Sequence, residues 1–274
     1  MRVVSLSDIG AFARLHDPDR FLCALFAPAA RREAIFALTG LHHELARARE
    51  AASNPMAALI RLQWWRDAIE EARRGLPPRR HEVAAPLHAA IMAGMLDAGA
   101  LLAMVDAREA ETEPEGLATE ADFVAWLRGT AGGWSAAAGL ALGATAEEAE
   151  RLRALGAAHG LAGVLRSVAA HAAQGRCLLP RDRLAQAGLG EEAVIAAPTA
   201  APVLTLLREL AAEGLTALAG ARRDISAAAI PAALPAVLAR RDLGRIAAGR
   251  GVPLPGRGAG DRWAVTWAGL RGRV

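Results

Sequence analysis

The chain has 274 residues, rich in alanine and leucine, with aromatics at only 4%, a net charge of +3 and a pI near 9.9. It contains no lysine and no tyrosine, which excludes a P-loop lysine, Schiff-base and pyridoxal-phosphate chemistry, and phenolic acid–base roles. Its arginines are dispersed among acids rather than gathered into a patch, which argues against nucleic acid as a partner, and two distant cysteines, Cys23 and Cys177, exclude a Cys-rich zinc site and fit a reduced cytosolic chain.

Scarce β-branched and aromatic residues favour helix over strand, so an all-α protein is expected. In chain order, His16-Asp17-Pro18-Asp19 reads as a cap before the first helix. Ile35, Leu38, Leu41 or His42, and Leu45 repeat at helical spacing and predict a long helix over 29–50, punctuated by Ser53, Asn54 and Pro55. A second helix over 56–74 carries Met56, Leu59, Ile60, Leu62 and Trp65 in or near its apolar stripe and ends at Gly75, Pro77 and Pro78. Helices are further expected at 82–97, 99–110, 119–142 and 146–173, the last opening on a capping pattern from Thr145 to Glu148. The most membrane-like run, 87–105, has Asp97 near its centre and reads as buried core rather than a span. Beyond Pro180, helices are expected near 181–187, 199–219 and 231–240. The Gly/Pro-rich stretch 249–260 reads as a loop, followed by a short helix or a basic tail with Trp263 and Trp267. Residues 249–274 are accordingly a candidate flexible tail on a single domain spanning 1–274. No signal peptide is visible, because Asp8, His16 and Asp17 interrupt the start of the chain.

Two motifs invite chemistry and do not deliver it. HHELAR at 42–47 has Arg47 where a zinc-protease helix needs its second histidine. GWSAAAG at 133–139 lacks the preceding strand of a nucleophile elbow, and its small residues suit close helix packing instead. The stretch 155–180, LGAAHGLAGVLRSVAAHAAQGRCLLP, is more informative. Leu161, Val164, Leu165 and Val168 form an apolar stripe, Gly160 and Gly163 would let a neighbour approach, and Ser167 and His171 share a face.

This stretch resembles the second acidic motif of the squalene/phytoene synthases, roughly LGxAxQLTNILRDVGEDxxRGRVYLP, without a gap. Leu155, Gly156, Leu161, Leu165, Arg166, Val168, Gly175, Arg176, Leu179 and Pro180 match, while the two metal-binding aspartates fall on Ser167 and His171. The first motif of that family corresponds to APAARREAIFALTGLHHELARARE at 27–50, where Arg32, Ala34, Ile35, Ala37 and Leu38 keep the pattern and the acidic positions become Ala46, Arg47 and Glu50. One carboxylate survives of five. The resemblance implies an isoprenoid-synthase-like helical bundle with a central cavity. It also implies a diphosphate chemistry that depends on magnesium held between two carboxylate clusters, which a single Glu beside Arg47 cannot hold.

The pattern FAL…ELA at 36–46, RLQWWRDAIEEA at 61–72, MVDARE at 104–109 and His171 resemble most closely a non-catalytic branch of the family that includes a mitochondrial complex I assembly factor. That likeness implies no catalytic residues, no metal and no cofactor, a partner among respiratory-complex subunits or assembly proteins, and a cytoplasmic location with peripheral contact at the inner face of the membrane. Two alternatives stand beside it. One is a divergent prenyl-diphosphate transferase using magnesium, Glu50, His171 and pocket arginines. The other is a binder of a prenyl lipid, prenyl diphosphate or quinone tail, which needs a deep apolar pocket with arginines at its mouth. The remnant-site candidates are Arg32, His43, Ala46, Arg47, Glu50, Arg166, Ser167, His171 and Arg176.

Overall fold

A computed structural model describes residues 6–52, 54–112, 117–221, 224–250, 252, 254 and 256–274. The described residues contain helices and no strand, as the composition requires. Ser53 and three positions of the 249–260 loop (251, 253 and 255) lie outside them.

The expected helix over 29–50 is α3 (Ala29–Glu50), and α4 (Pro55–Arg73) follows it, with Asn54 accepting from the Ala57 amide. Two helices precede them. Asp17 does cap a helix, α2 (Pro18–Ala24), through the Arg20 amide at 2.9 Å, but α1 (Asp8–His16), capped by Ser7, comes before it. The apolar run 87–105 is not one helix: α5 (Ala84–Met92) ends before Gly94 at φ +64°, and Asp97 caps α6 (Ala98–Glu109) through the Ala100 amide at 2.7 Å.

The expected helix over 119–142 turns at Thr130, giving α7 (Glu120–Gly129) and α8 (Ala131–Ala141). That over 146–173 divides at Ser167 into α9 (Ala146–Arg166) and α10 (Val168–Ala173). Apolar periodicity continues across both junctions, so spacing alone does not mark them. The Thr145–Glu148 capping box forms as expected. After α11 (Arg181–Gln186) comes α12 (Glu191–Ala196), which the sequence did not suggest, then α13 (Ala201–Ala221), α14 (Ile230–Ala233), α15 (Pro235–Ala247) and α16 (Ala259–Arg271). Within the expected flexible tail, residues 259–271 are therefore a helix, and it is docked: Val265 is fully buried and Asp261 is ion-paired to Arg241 and Arg245.

Packing is closest between α8 and α9. A Cβ added at Gly156 would lie 2.5 Å from the Ser135 hydroxyl and 2.6 Å from the Ala131 carbonyl oxygen, so only glycine permits this approach. GWSAAAG is thus a packing surface. Gly160 also faces Ala131, whereas Gly163 has open space beside it and serves no contact. One core gathers α3 around Phe36, Leu38, Leu41 and Trp134, and a second gathers α9, α13 and α15 around Leu165, Leu207 and Leu243. Helices α3 and α9–α10 belong to these two cores, and their facing ends carry the remnant motif.

Candidate functional site

The site is built where the C-terminal half of α3 faces the α9–α10 junction. Its central group is Glu111, just past α6, whose side chain is 4% exposed. The Glu111 carboxylate accepts from Arg108 Nη1 at 2.6 Å, Trp126 Nε1 at 3.1 Å and Arg176 Nη2 at 3.1 Å. Arg176 also reaches Glu50, 3.8 Å away and 40% exposed at the rim. Arg108 Nη2 stands 3.5 Å from His42 Nε2, so a chain of polar contacts runs from Glu50 inward to His42.

A second network lies deeper. Asp242 on α15 is wholly buried and accepts from Arg166 at 2.8 Å, Arg257 at 2.7 Å and Arg245 at 3.2 Å. Arg257 continues to Asp19 at 2.7 Å; burial pushes the Asp19 carboxyl up despite that partner. Trp134 on α8 is fully buried and donates to Thr39 at 3.3 Å, and the Arg20 guanidinium lies 5.0 Å over its ring. His42 and His159 are both held neutral. Burial first, then the positive charge of Arg20, pushes each well below the ordinary histidine range.

The candidate residues separate into groups. Glu50, His171 and Arg176 come together: His171 is driven down by burial and by Arg176, opposed by Glu111, and its Nδ1 is buried without a hydrogen-bond partner. Ser167 sits at the helix junction, its amide donating to the Gly163 and Val164 carbonyls at 3.1 Å. Ala46 is partly buried on α3 and carries no ligand atom. Arg166 belongs to the Asp242 network instead. Three candidates lie elsewhere. Arg32 donates to the Leu25 and Ala27 carbonyls at 3.0 Å each and so terminates α2. His43 packs against His16 (4.4 Å) and Phe12 (5.6 Å) on α1, where burial, His16 and Arg47 lower its pKa to about 4. Arg47 is exposed and lines a separate hollow of ≈ 260 Å³ with Glu44, Arg61, Trp64, Trp65 and His81.

Sequence reasoning missed Glu111, His42 and Asp242. His42 had a signal, since it stands beside His43. Glu111 and Asp242 had none, because their partners are distant in sequence. Beside Arg176 a hollow of ≈ 170 Å³ is lined by Arg49, Glu111, Arg181 and Glu191 among others.

Magnesium takes several hard oxygen ligands in octahedral geometry. Of the five positions that would supply carboxylates, four hold Ala46, Arg47, Ser167 and His171, and the fifth, Glu50, faces a guanidinium. These residues do not fit the ion, and among the described residues no three His, Cys, Asp or Glu side chains are grouped to hold one.

Residues 13–268 match the pattern of the squalene/phytoene synthase family. Among curated proteins, the chain is 26% identical over 228 residues to "NADH dehydrogenase (ubiquinone) complex I, assembly factor 6" of Mus musculus, covering 82% of this chain and 68% of that one. The Homo sapiens protein of the same name is 26% identical over 180 residues, 65% of this chain and 54% of the human protein. Among solved structures, a ligand-bound dehydrosqualene synthase superposes with a TM-score of 0.73 at 13% identity, covering 96% of this chain and 93% of that one. The squalene synthase HpnC of Alicyclobacillus acidocaldarius gives 0.69 at 17% identity, covering 90% and 95%. These two show the isoprenoid-synthase-like fold.

Proposed function

The chain belongs to the squalene/phytoene synthase family, and we propose that within it this protein is a non-catalytic member that assists assembly of a respiratory complex at the inner face of a membrane. One observation carries the loss of catalysis: the surviving motif carboxylate, Glu50, is answered by Arg176, with no second carboxylate at positions 46, 47, 167 or 171. Ionising an allylic diphosphate builds charge on the leaving group, and these five positions hold no set of carboxylates for the metal that would offset it. The kinship with complex I assembly factor 6 supports the assembly role. No cofactor enters this reading.

Two measurements test it. Purified protein incubated with farnesyl or geranylgeranyl diphosphate and magnesium should give no condensation product; magnesium-dependent turnover overturns the non-catalytic assignment. Deleting the gene in its host should deplete assembled complex I on native gels, and unchanged complex I overturns the assembly role.

A second reading, retention of a prenyl diphosphate without turnover, has one observation in its favour: Arg49, Arg176 and Arg181 gather around the ≈ 170 Å³ hollow. Guanidinium groups clasp phosphate oxygens without a metal. Calorimetry with a non-hydrolysable farnesyl diphosphate analogue should then show binding indifferent to magnesium; no binding removes this reading.

A further inference from the structure

Helix α16 is apolar on two opposite faces, and only one of them is used. Asp261 and Val265 point into the body, where Val265 joins a small core with Cys23, Ile230, Leu234 and Leu238. Asp261 accepts from Arg241 and Arg245 at 2.6 Å each; despite burial, these two guanidiniums hold its carboxyl well below the usual carboxylate range. The Phe26 ring at the end of α2 lies against Gly269 so closely that an added Cβ would stand 2.6 Å from it. The inner face is therefore fixed and the helix lies flat against the protein.

The outer face carries Trp263 (67% exposed), Trp267 (52%) and Leu270 (71%). Their spacing of i, i+4 and i+7 aligns all three on one stripe. Arginine flanks it at both edges and beyond: Arg262, Arg271 and Arg273 are all exposed, and the Arg271 guanidinium stacks 4.3 Å over the Trp267 ring. Residues 262–274 contain no Asp or Glu.

We infer that the Trp263–Trp267–Leu270 face of α16 docks in the plane of an anionic lipid bilayer. The inference rests on the membrane-surface placement proposed above and names the element responsible. Tryptophan rings favour the headgroup level, where an apolar ring meets water at its edge. An arginine whose stem and planar head cover a neighbouring indole keeps its charge at the same level as the ring sinks. A helix held flat by its inner face presents its outer stripe parallel to the protein surface, the geometry of an interfacial helix rather than a span. Among the described residues no helix is long and apolar enough to cross a membrane. Charge decides between lipid and protein as the occupant. A stripe flanked along its own helix by arginines, with no acidic side chain from 262 on, is complementary to the negative surface potential of anionic lipid rather than to the basic side chains of a protein partner.

The test uses the full chain and vesicles of phosphatidylcholine, with or without an equal part of phosphatidylglycerol, read by co-sedimentation and by the tryptophan emission maximum. Trp126, Trp134 and Trp65 are buried, so a blue shift on binding reports mainly on the exposed indoles. The wild type should bind the anionic vesicles, lose binding at high salt, and leave neutral vesicles largely in suspension. The double variant Trp263→Ala, Trp267→Ala should lower the partition coefficient on the order of a hundredfold, and Arg271→Glu by about fivefold or more, with circular dichroism unchanged in both. Wild-type binding that both variants retain overturns the assignment to α16 while leaving the membrane placement intact. Absence of wild-type binding to either vesicle overturns both; if gene deletion still depletes complex I, the assembly role survives and the face belongs to a protein contact.

Discussion

The two arginine–carboxylate networks are built alike and stand in different surroundings. Asp242 is wholly buried between three arginines, Arg166, Arg245 and Arg257. Glu111 and Glu50 share Arg176 along a path that runs from the interior to the rim, ending in a carboxylate that is 40% exposed. The first network ties α9 to α15 and to the segment before α16. The second occupies the place where the family's acidic motifs would face each other. The difference teaches that the arginines of this region serve two roles, structural cross-linking in the interior and charge compensation at the mouth. Burial of the partner carboxylate decides how much each pair matters.

The comparison is most exposed to failure at Asp242. Replacing it with alanine leaves three guanidiniums sharing no central carboxylate, and removal of one partner from a buried ionic cluster costs about 3–5 kcal/mol. Asp242→Ala should show that loss in denaturant midpoint, with Asp242→Asn in between; a change under about 1 kcal/mol, the range of surface pairs, would mean the networks do not differ in kind. Glu111→Ala comes next, at roughly 2–4 kcal/mol, because Arg108 and Arg176 lose their common acceptor while Arg176 keeps a path to solvent at the rim.

The third effect is confined to acid. His43, beside α1, titrates at about 4 in the folded chain, below the ordinary 6.5, because burial and then His16 and Arg47 oppose its charge. A histidine depressed on folding takes up its proton first in the unfolded state. Stability therefore falls as pH drops from about 6.5 and levels off below about 4. His43→Gln should flatten the slope of melting temperature against pH in that window; an unchanged slope would assign it to other groups. Glu50→Ala is expected to be the smallest, under about 0.5 kcal/mol, because its carboxylate is solvent-exposed and 3.8 Å from Arg176. A loss comparable to Glu111→Ala would mean that the rim is as well organised as the interior.

Much of the fold is legible in the sequence because helix periodicity is a local property. The extent of α3 follows from its apolar spacing and the Ser53–Pro55 punctuation, and the start of α9 follows from the cap pattern at Thr145–Glu148. The junctions at Thr130 and Ser167 are not legible, since the apolar pattern continues through both. The candidate site is legible in part. Arg176, Glu50 and His171 come from the motif resemblance and do meet, whereas His43 packs against α1 and Arg47 lines a separate hollow. Neighbouring residues on a helix point about 100° apart, so His42 enters the interior and His43 packs on α1.

The sequence by itself determined that this chain is helical, that it follows the squalene/phytoene synthase pattern, and that four of five acidic positions hold Ala46, Arg47, Ser167 and His171. Residue identity and local spacing suffice for those statements. Only the tertiary structure decided which arginine answers which carboxylate. Arg176 and Glu111 are 65 residues apart, and Arg166 and Asp242 are 76 apart, so their meeting depends on how α9, α10 and α15 pack against the rest. Packing likewise made α16 a docked helix with a free aromatic face, because its opposite side found Val265 a core and Asp261 two guanidiniums.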